Sequence, residues 1–324
     1  MNIIITGATG FLGKFLSKRL NDDGHNVVAF GSKETNLINP AALEKYNNIE
    51  FNRIFHLAAW TQAGDFCVYH PGEQWLINQQ INTTVLDWWK TRQPQAKLIS
   101  IGTSCSYDES LPHREENYLI GIPRDELFTY AMTKRMLLIG QIALNKQYGL
   151  SYLTVIPSTL VGPYYNFENK QPHFIFDLIK KIIDYKENKK KVVLWGDGYQ
   201  RRELVYAEDF VDILLLLDKV AVNEVYNIGA GRDYSIRDFV FMICEILNVD
   251  ATEIQYDESR YVGAKAKFLD NSKLNSTISE YKQKPLEDVL ELTIDWMYSK
   301  LYMKSSYKIK PTADNVNNNI HIDR

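Results

Sequence analysis

The feature that most constrains this chain is the run Gly7-Ala8-Thr9-Gly10-Phe11-Leu12-Gly13, which directly follows the apolar segment Asn2–Thr6. Glycines at this spacing let a chain turn sharply out of a strand, bring its backbone against a bulky anionic group and start a helix close to the sheet. The first amides of that helix then point at the anion, the arrangement that holds a pyrophosphate. Leu12, Phe15, Leu16 and Leu20 recur at helical spacing behind the loop, which gives the helix one apolar face. The spacing is GxxGxxG and not GxGxxG. With a strand before it and a helix after it, it predicts a dinucleotide site in preference to a plain turn. Gly7, Thr9, Gly10, Phe11, Leu12 and Gly13 are therefore expected at the cofactor.

Further strands are expected at Asn26–Phe30 and at residues 53–58, 97–103 and 152–156, with helical segments between them. This alternation predicts an α/β chain: a Rossmann-type doubly wound parallel sheet with a smaller C-terminal substrate-binding lobe. The second strand runs out at Phe30-Gly31-Ser32-Lys33. Sites that prefer NAD usually carry a carboxylate there to accept the ribose hydroxyl. Gly31 occupies that place, and Lys33 could offset a 2′-phosphate. Ser32 and Lys33 are thus expected at the cofactor and NADP(H) is preferred, with NAD(H) as the alternative if Lys33 is only a solvated loop lysine.

The texture changes near residue 163. Residues 1–163 are expected to form mainly the dinucleotide-binding unit. Residues 164–303 are expected to form mainly the second lobe, with some segments returning to the first unit, and 304–324 a polar tail. Ile175, Leu178, Ile179 and Ile182 make a helical stripe, and residues 192–194 read as a short strand. Ser235 can cap a helix with Asp238 three positions on, and residues 286–300 form a further amphipathic segment.

Composition narrows the function. Hydrophobic residues make up 45% and charged residues 24%, with a net charge of −3, so nucleic acid is not expected as a partner. No apolar run approaches the roughly 20 residues needed to cross a bilayer, so no membrane partner is expected. A strand pattern from the first residues leaves no room for a leader peptide. Cys67, Cys105 and Cys244 are unevenly spaced with no CxxC pair. That spacing speaks against a disulfide framework or a metal site and suits a reducing cytoplasm.

Tyr130 and Lys134 stand four apart in a helical segment, which puts both side chains on one face. A free phenol has a pKa of roughly 10, and a neighbouring ammonium lowers it toward the range useful for proton exchange with a hydroxyl. Upstream, Ser100-Ile101-Gly102-Thr103-Ser104-Cys105-Ser106-Tyr107 sets the Thr103 hydroxyl at the carboxyl edge of a strand, where α/β ligands bind.

The glycine loop, Thr103, Tyr130 and Lys134 together resemble the extended short-chain dehydrogenase/reductases, also called the NAD-dependent epimerase/dehydratase family. Phe55-His56-Leu57-Ala58-Ala59, Asn78 at a helix start, Gly162-Pro163, Trp195-Gly196-Asp197-Gly198, Arg202-Glu203 and Asn227-Ile228-Gly229 extend the likeness over residues 2–300. The resemblance implies that Tyr130 is the acid/base, that Lys134 binds the nicotinamide ribose and tunes Tyr130, and that Thr103 bonds the reacting oxygen. It adds Leu57, Ala58, Ala59 and Asn78 at the cofactor, and Trp195 and Arg202 at a substrate nucleotide, with Arg201 as the neighbouring alternative.

No carboxylate follows Thr103 before Asp108, which disfavours a dehydratase. Instead Gly102-Thr103-Ser104-Cys105-Ser106-Tyr107 is similar to the GDP-L-fucose synthase branch of the family. That likeness implies a GDP-linked 4-keto sugar as substrate. Cys105 and His173, as a thiolate/imidazolium pair, would exchange protons beside the ketone, with Ser104 and Lys267 as further substrate contacts and a homodimer as the assembly. Thr103 stands where the branch has serine, and Thr159 where it has asparagine. Cys105 as a small buried filler is the plain reading of the residue alone. The alternatives are a nucleotide-sugar 4-epimerase or C4 dehydrogenase with tightly held NAD and, from another class, a non-catalytic NADP(H) sensor or scaffold.

Overall fold

The computed structural model describes residues 1–62, 66–167, 171–260 and 264–302, so the tail expected at 304–324 lies outside the described residues. In chain order the elements are β1 (Asn2–Thr6), α1 (Phe11–Asp22), β2 (Asn26–Phe30), β3 (Arg53–His56), α2 (Phe66–Tyr69), α3 (Pro71–Arg92), β4 (Lys97–Ile101), α4 (Phe128–Tyr148), β5 (Tyr152–Pro157) and β6 (Thr159–Val161). Then follow α5 (Phe174–Asn188), β7 (Val193–Trp195), β8 (Arg201–Arg202), β9 (Leu204–Tyr206), α6 (Ala207–Val220), β10 (Glu224–Ile228) and β11 (Tyr234–Ser235). The chain ends through α7 (Ile236–Leu247), β12 (Gln255–Asp257), β13 (Ala266–Lys267), α8 (Ser272–Thr277) and α9 (Leu286–Tyr302).

Six strands form one sheet in the order β10-β5-β4-β3-β1-β2, and every neighbouring pair is parallel. The sequence dictates this through strands that are apolar on both faces, as a sheet covered by helices on each side requires. Ile3, Ile4 and Ile5 are all fully buried. Their alternation sends Ile3 and Ile5 to the side of Leu16, Leu20, Phe210 and Leu214 on α1 and α6. Ile4 joins Val85, Trp89 and Leu138 on α3 and α4. Each such side chain is worth roughly 1.5–3 kcal/mol of burial, so the sheet is anchored from both faces. Strand order reverses beside β1, between β2 and β3, and α/β sheets bind ligands at such a switch point.

The expected third and fourth strands end early. β3 stops at His56 because Leu57 and Ala58 leave the ladder to pack against Gly7. Leu57 N donates to Thr6 O (3.2 Å) and Ala58 N to Thr6 Oγ1 (3.2 Å). β4 stops at Ile101, leaving Gly102 and Thr103 beyond the sheet edge, although Gly102 N still donates to Val155 O at 2.8 Å.

Above the carboxyl edge a second core gathers Ile175, Ile179 and Ile182 of α5, Phe239 and Ile243 of α7, and Leu290 and Ile294 of α9. Small sheets, β12-β7 and β11-β8-β13, frame this core. Ser235 and Asp238 form the reciprocal capping box at the start of α7. Between these segments α6 and β10 return to the large sheet.

Candidate active site

The glycine loop leaves β1 and enters α1 at the switch point. Gly7 has φ +70°, and a Cβ there would sit 2.7 Å from Ala58 N, so both conformation and space require glycine. A Cβ on Gly13 would collide with the Gly7 carbonyl oxygen and Ala8 Cα. The loop that leads into α1 opens onto a cleft of about 270 Å³. Gly7, Thr9, Gly10, Gly31, Ser32, Leu57, Ala58 and Ala59 are among its walls. A backbone cradle closed to side chains at its tightest points fits a dinucleotide pyrophosphate.

The rim at the end of β2 departs from expectation. Lys33 is exposed and is not among the cleft walls, which continue instead through Thr35, Asn36, Leu37 and Ile38. Gly31 N donates to Glu34 Oε2 at 3.0 Å, which brings a carboxylate back to the place Gly31 was expected to leave uncharged. Asn78 is another correction: it lies inside α3, not at a helix start. Its Nδ2 donates to Trp60 O (2.9 Å) and Gln74 O (2.7 Å), and its Oδ1 accepts from Trp60 N at 2.9 Å. Asn78 therefore holds the 58–60 loop that forms the cleft wall.

At the sheet edge, the Thr103 hydroxyl and the Tyr130 phenol are close neighbours. Thr103 Oγ1 also accepts from Cys105 N at 3.3 Å. One turn further along α4, Lys134 Nζ is buried and donates to Ile101 O at 2.9 Å. Burial lowers the Lys134 ammonium to about 8. Burial pushes the Tyr130 phenol above its usual value and the nearby Cys105 adds to this, while the Thr103 hydrogen bond pulls it down.

A second group of side chains meets the first from the other lobe. Lys267 Nζ lies 3.0 Å from Cys105 Sγ. Burial raises the thiol, but the Lys267 ammonium and hydrogen bonds from Lys267 and Thr103, with Arg124 further off, bring it below its ordinary value. His173 caps the start of α5. The residue is exposed, yet the protein packed around it and the charges of Lys267 and Arg202 push its imidazole down to about 4.

Arg202 and Trp195 line a separate hollow of about 290 Å³ with Phe174, Asp177, Lys181 and Gln200. Arg201 turns away onto Asp233, to which it donates from Nε (3.0 Å) and Nη2 (3.0 Å). Of the two arginines, Arg202 is the one at the hollow.

The profile describing the NAD dependent epimerase/dehydratase family matches residues 3–229. The chain belongs to that family. GDP-L-colitose synthase of Yersinia pseudotuberculosis is 29% identical over 282 residues, covering 85% of this chain and 91% of that one. GDP-L-fucose synthase 1 of Arabidopsis thaliana is 27% identical over 308 residues, covering 91% and 92%. The solved structure of a GDP-L-fucose synthetase from Naegleria fowleri bound to NADP superposes with a TM-score of 0.81 at 25% identity, covering 93% of this chain and 95% of that one. Membership in the epimerase/dehydratase family makes this an enzyme that works with a nicotinamide dinucleotide.

Within that family frame, the fold brings together Thr103, Tyr130, Lys134, Cys105 and Lys267, and links His173 to them through the field of Lys267. Ser104 is buried in the turn between Thr103 and Cys105. Glu34, Asp177, Lys181 and Gln200 escaped the sequence reading. A signal was there for two of them: His173, Asp177 and Lys181 recur every fourth residue, which is one helical face.

Proposed function

We propose that the chain is an NADP(H)-dependent epimerase and reductase of a nucleotide-diphospho-4-keto sugar, GDP-linked, exchanging protons at the carbons beside the ketone and reducing C4. One observation carries this reading. Thr103 Oγ1 accepts from the Cys105 backbone amide at 3.3 Å, and the Tyr130 phenol is close enough to both residues for each to act on its ionisation, so a group suited to C4–oxygen chemistry and one suited to C3 or C5 stand side by side. The nicotinamide, when bound, supplies the hydride that C4 receives. Gly7, Gly10, Gly13, Ser32, Leu57, Ala58 and Ala59 would hold the dinucleotide, with Lys134 toward its nicotinamide ribose. The NADP found with the Naegleria relative supports NADP(H).

A 4-keto group acidifies the hydrogens on its neighbouring carbons, so a thiolate can remove one. Free cysteine is only a few per cent ionised at neutral pH, and Lys267 supplies the activation it needs. His173 serves the opposite face. An anionic diphosphate at Arg202 would offset the positive field that depresses the imidazole, and so make it a better proton carrier once substrate is bound. Tyr130, beside Thr103, then protonates the C4 oxygen as the hydride arrives.

Exposed Leu76 on α3 and Met136 and Ile139 on α4 support a homodimer through those two helices, which light scattering on the purified chain tests. The catalytic reading is tested by offering nucleotide 4-keto sugars with each reduced cofactor in deuterated water. Cofactor oxidation with deuterium at C3 or C5 is expected. Oxidation without deuterium would leave a simple reductase.

A further inference from the structure

We propose that the Asp177–Lys181 pair reads the Watson–Crick edge of a guanine base held against Trp195, which makes guanine the base this enzyme selects. The inference rests on the nucleotide-sugar reading and names the determinant of its specificity. Lys181 Nζ lies 2.6 Å from Asp177 Oδ2, and the two side chains remain 42% and 40% exposed at the hollow. The site thus presents a cationic donor and an anionic acceptor side by side, with the second carboxylate oxygen to spare.

Guanine offers the complement along one edge: a carbonyl oxygen beside a ring N–H and an exocyclic amine. The ammonium suits the carbonyl, and the carboxylate suits the two N–H groups in a charge-assisted fork. Uracil has a carbonyl on each side of its single N–H, so one carbonyl would face the carboxylate. Adenine lacks a carbonyl and can satisfy the pair at two positions where guanine satisfies three. Hypoxanthine keeps the carbonyl and the ring N–H but lacks the amine.

Two further observations make the hollow a ligand site and not merely the surroundings of a helix-surface ion pair. Trp195 is 60% exposed and forms its rim, a large aromatic face suited to stacking on a base. The Gln200 side-chain oxygen is buried at the same wall with no hydrogen-bond partner among the described residues, although its amide nitrogen reaches Trp195 O at 3.4 Å. A buried acceptor without a donor is costly, and a ribose hydroxyl or base N–H entering the hollow would supply one. Arg202 on the same wall suits the diphosphate.

The test is calorimetric binding of GDP, IDP, UDP and ADP to the wild-type enzyme and to Asp177→Asn and Asp177→Ala. The wild type should bind GDP about tenfold or more tightly than IDP and UDP, because a site built to pair a donor rejects the analogue that lacks it. Both variants should bring the GDP-to-IDP ratio close to one while leaving the affinity for UDP within a few-fold. A wild-type preference for UDP or ADP, or equal binding of GDP and IDP, would overturn the inference; the first would also remove the GDP assignment, and either would leave the nucleotide-sugar reading standing. So would a GDP preference that survives in both variants. Failure of every nucleoside diphosphate to bind the wild type would bring down both.

Discussion

Lys267 Nζ and Cys105 Sγ meet at 3.0 Å although 162 positions separate them in the chain. Two devices bring them together. β13 runs parallel to β8, with Lys267 opposite Arg202. Glu203, next in sequence and almost fully buried, accepts from Leu269 N (3.2 Å), Ala230 N (2.6 Å) and Gly231 N (3.1 Å). That carboxylate ties three backbone segments to one point, so the lysine is delivered to the thiol by the lobe and not by its neighbours in sequence.

Replacing Lys267 by methionine removes the main influence that holds the Cys105 thiol down, and burial then drives its pKa above the ordinary value. Alkylation of Cys105 should shift to higher pH, by about one pH unit for each tenfold loss of thiolate at neutrality. Deuterium exchange into the substrate should fall at least in proportion. An alkylation profile identical to wild type would show that Lys267 does not ionise the thiol.

Tyr130→Phe separates the two halves of the chemistry. Loss of a positioned proton donor costs about 10²–10⁴-fold in the step it serves, so cofactor oxidation in a single turnover should fall by that range. Proton exchange beside the ketone, which depends on Cys105 and Lys267, should continue within a few-fold. NMR of recovered substrate checks this. If exchange collapses together with reduction, Tyr130 takes part in both.

His56 gives a pH dependence of stability. Its imidazole is buried, with Nδ1 2.8 Å from the Thr6 hydroxyl and Nε2 3.1 Å from Asn82 Oδ1. Thr6 Oγ1 accepts from Ala58 N, so its hydroxyl donates to Nδ1 and Nε2–H donates to Asn82. Burial pushes the ring down to about 4, and the Lys134 charge adds to this. The unfolded chain takes up this proton near pH 6.5, so between about pH 6.5 and 4 it binds more protons than the folded one. Stability therefore declines as pH falls through that window, by on the order of 3 kcal/mol from this group. In urea denaturation, His56→Gln should be less stable than wild type at neutral pH, and the difference should shrink toward pH 4. A constant difference would sink the assignment.

The sheet was legible because each of its first five strands is an apolar run bounded by turns, and the glycine loop fixed where the cofactor belongs. The boundaries after β3 and β4 were not, because Leu57-Ala58 is as apolar and Thr103 as strand-like as the residues before them. They leave the ladder to meet Gly7 and Tyr118, contacts distant in sequence. Thr103, Tyr130 and Cys105 could be nominated from local strings. That Lys267 would touch Cys105 could not, since no local pattern encodes an encounter made by β13 and Glu203. That Lys267 and Arg202 would stand near His173 was hidden for the same reason, since neither is close to it in sequence.

Glu34 sets the last prediction. Its Oε2 accepts from Gly31 N at 3.0 Å, at the carboxyl end of β2, where a carboxylate pairs with the adenosine ribose hydroxyls of NAD and repels the 2′-phosphate of NADP. Lys33 beside it is exposed and carries the opposite charge. On the NADP(H) reading the two charges would act in opposite directions on a 2′-phosphate. Glu34→Gln keeps an acceptor for the amide and deletes the repulsion, so NADPH affinity should rise several-fold while NADH affinity stays the same or weakens. Lys33→Ala should weaken NADPH with little effect on NADH. Fluorescence titration of both reduced cofactors against wild type and the two variants decides the matter. A Glu34→Gln enzyme with an unchanged NADPH-to-NADH ratio would mean that the carboxylate serves only to close the Gly31 turn.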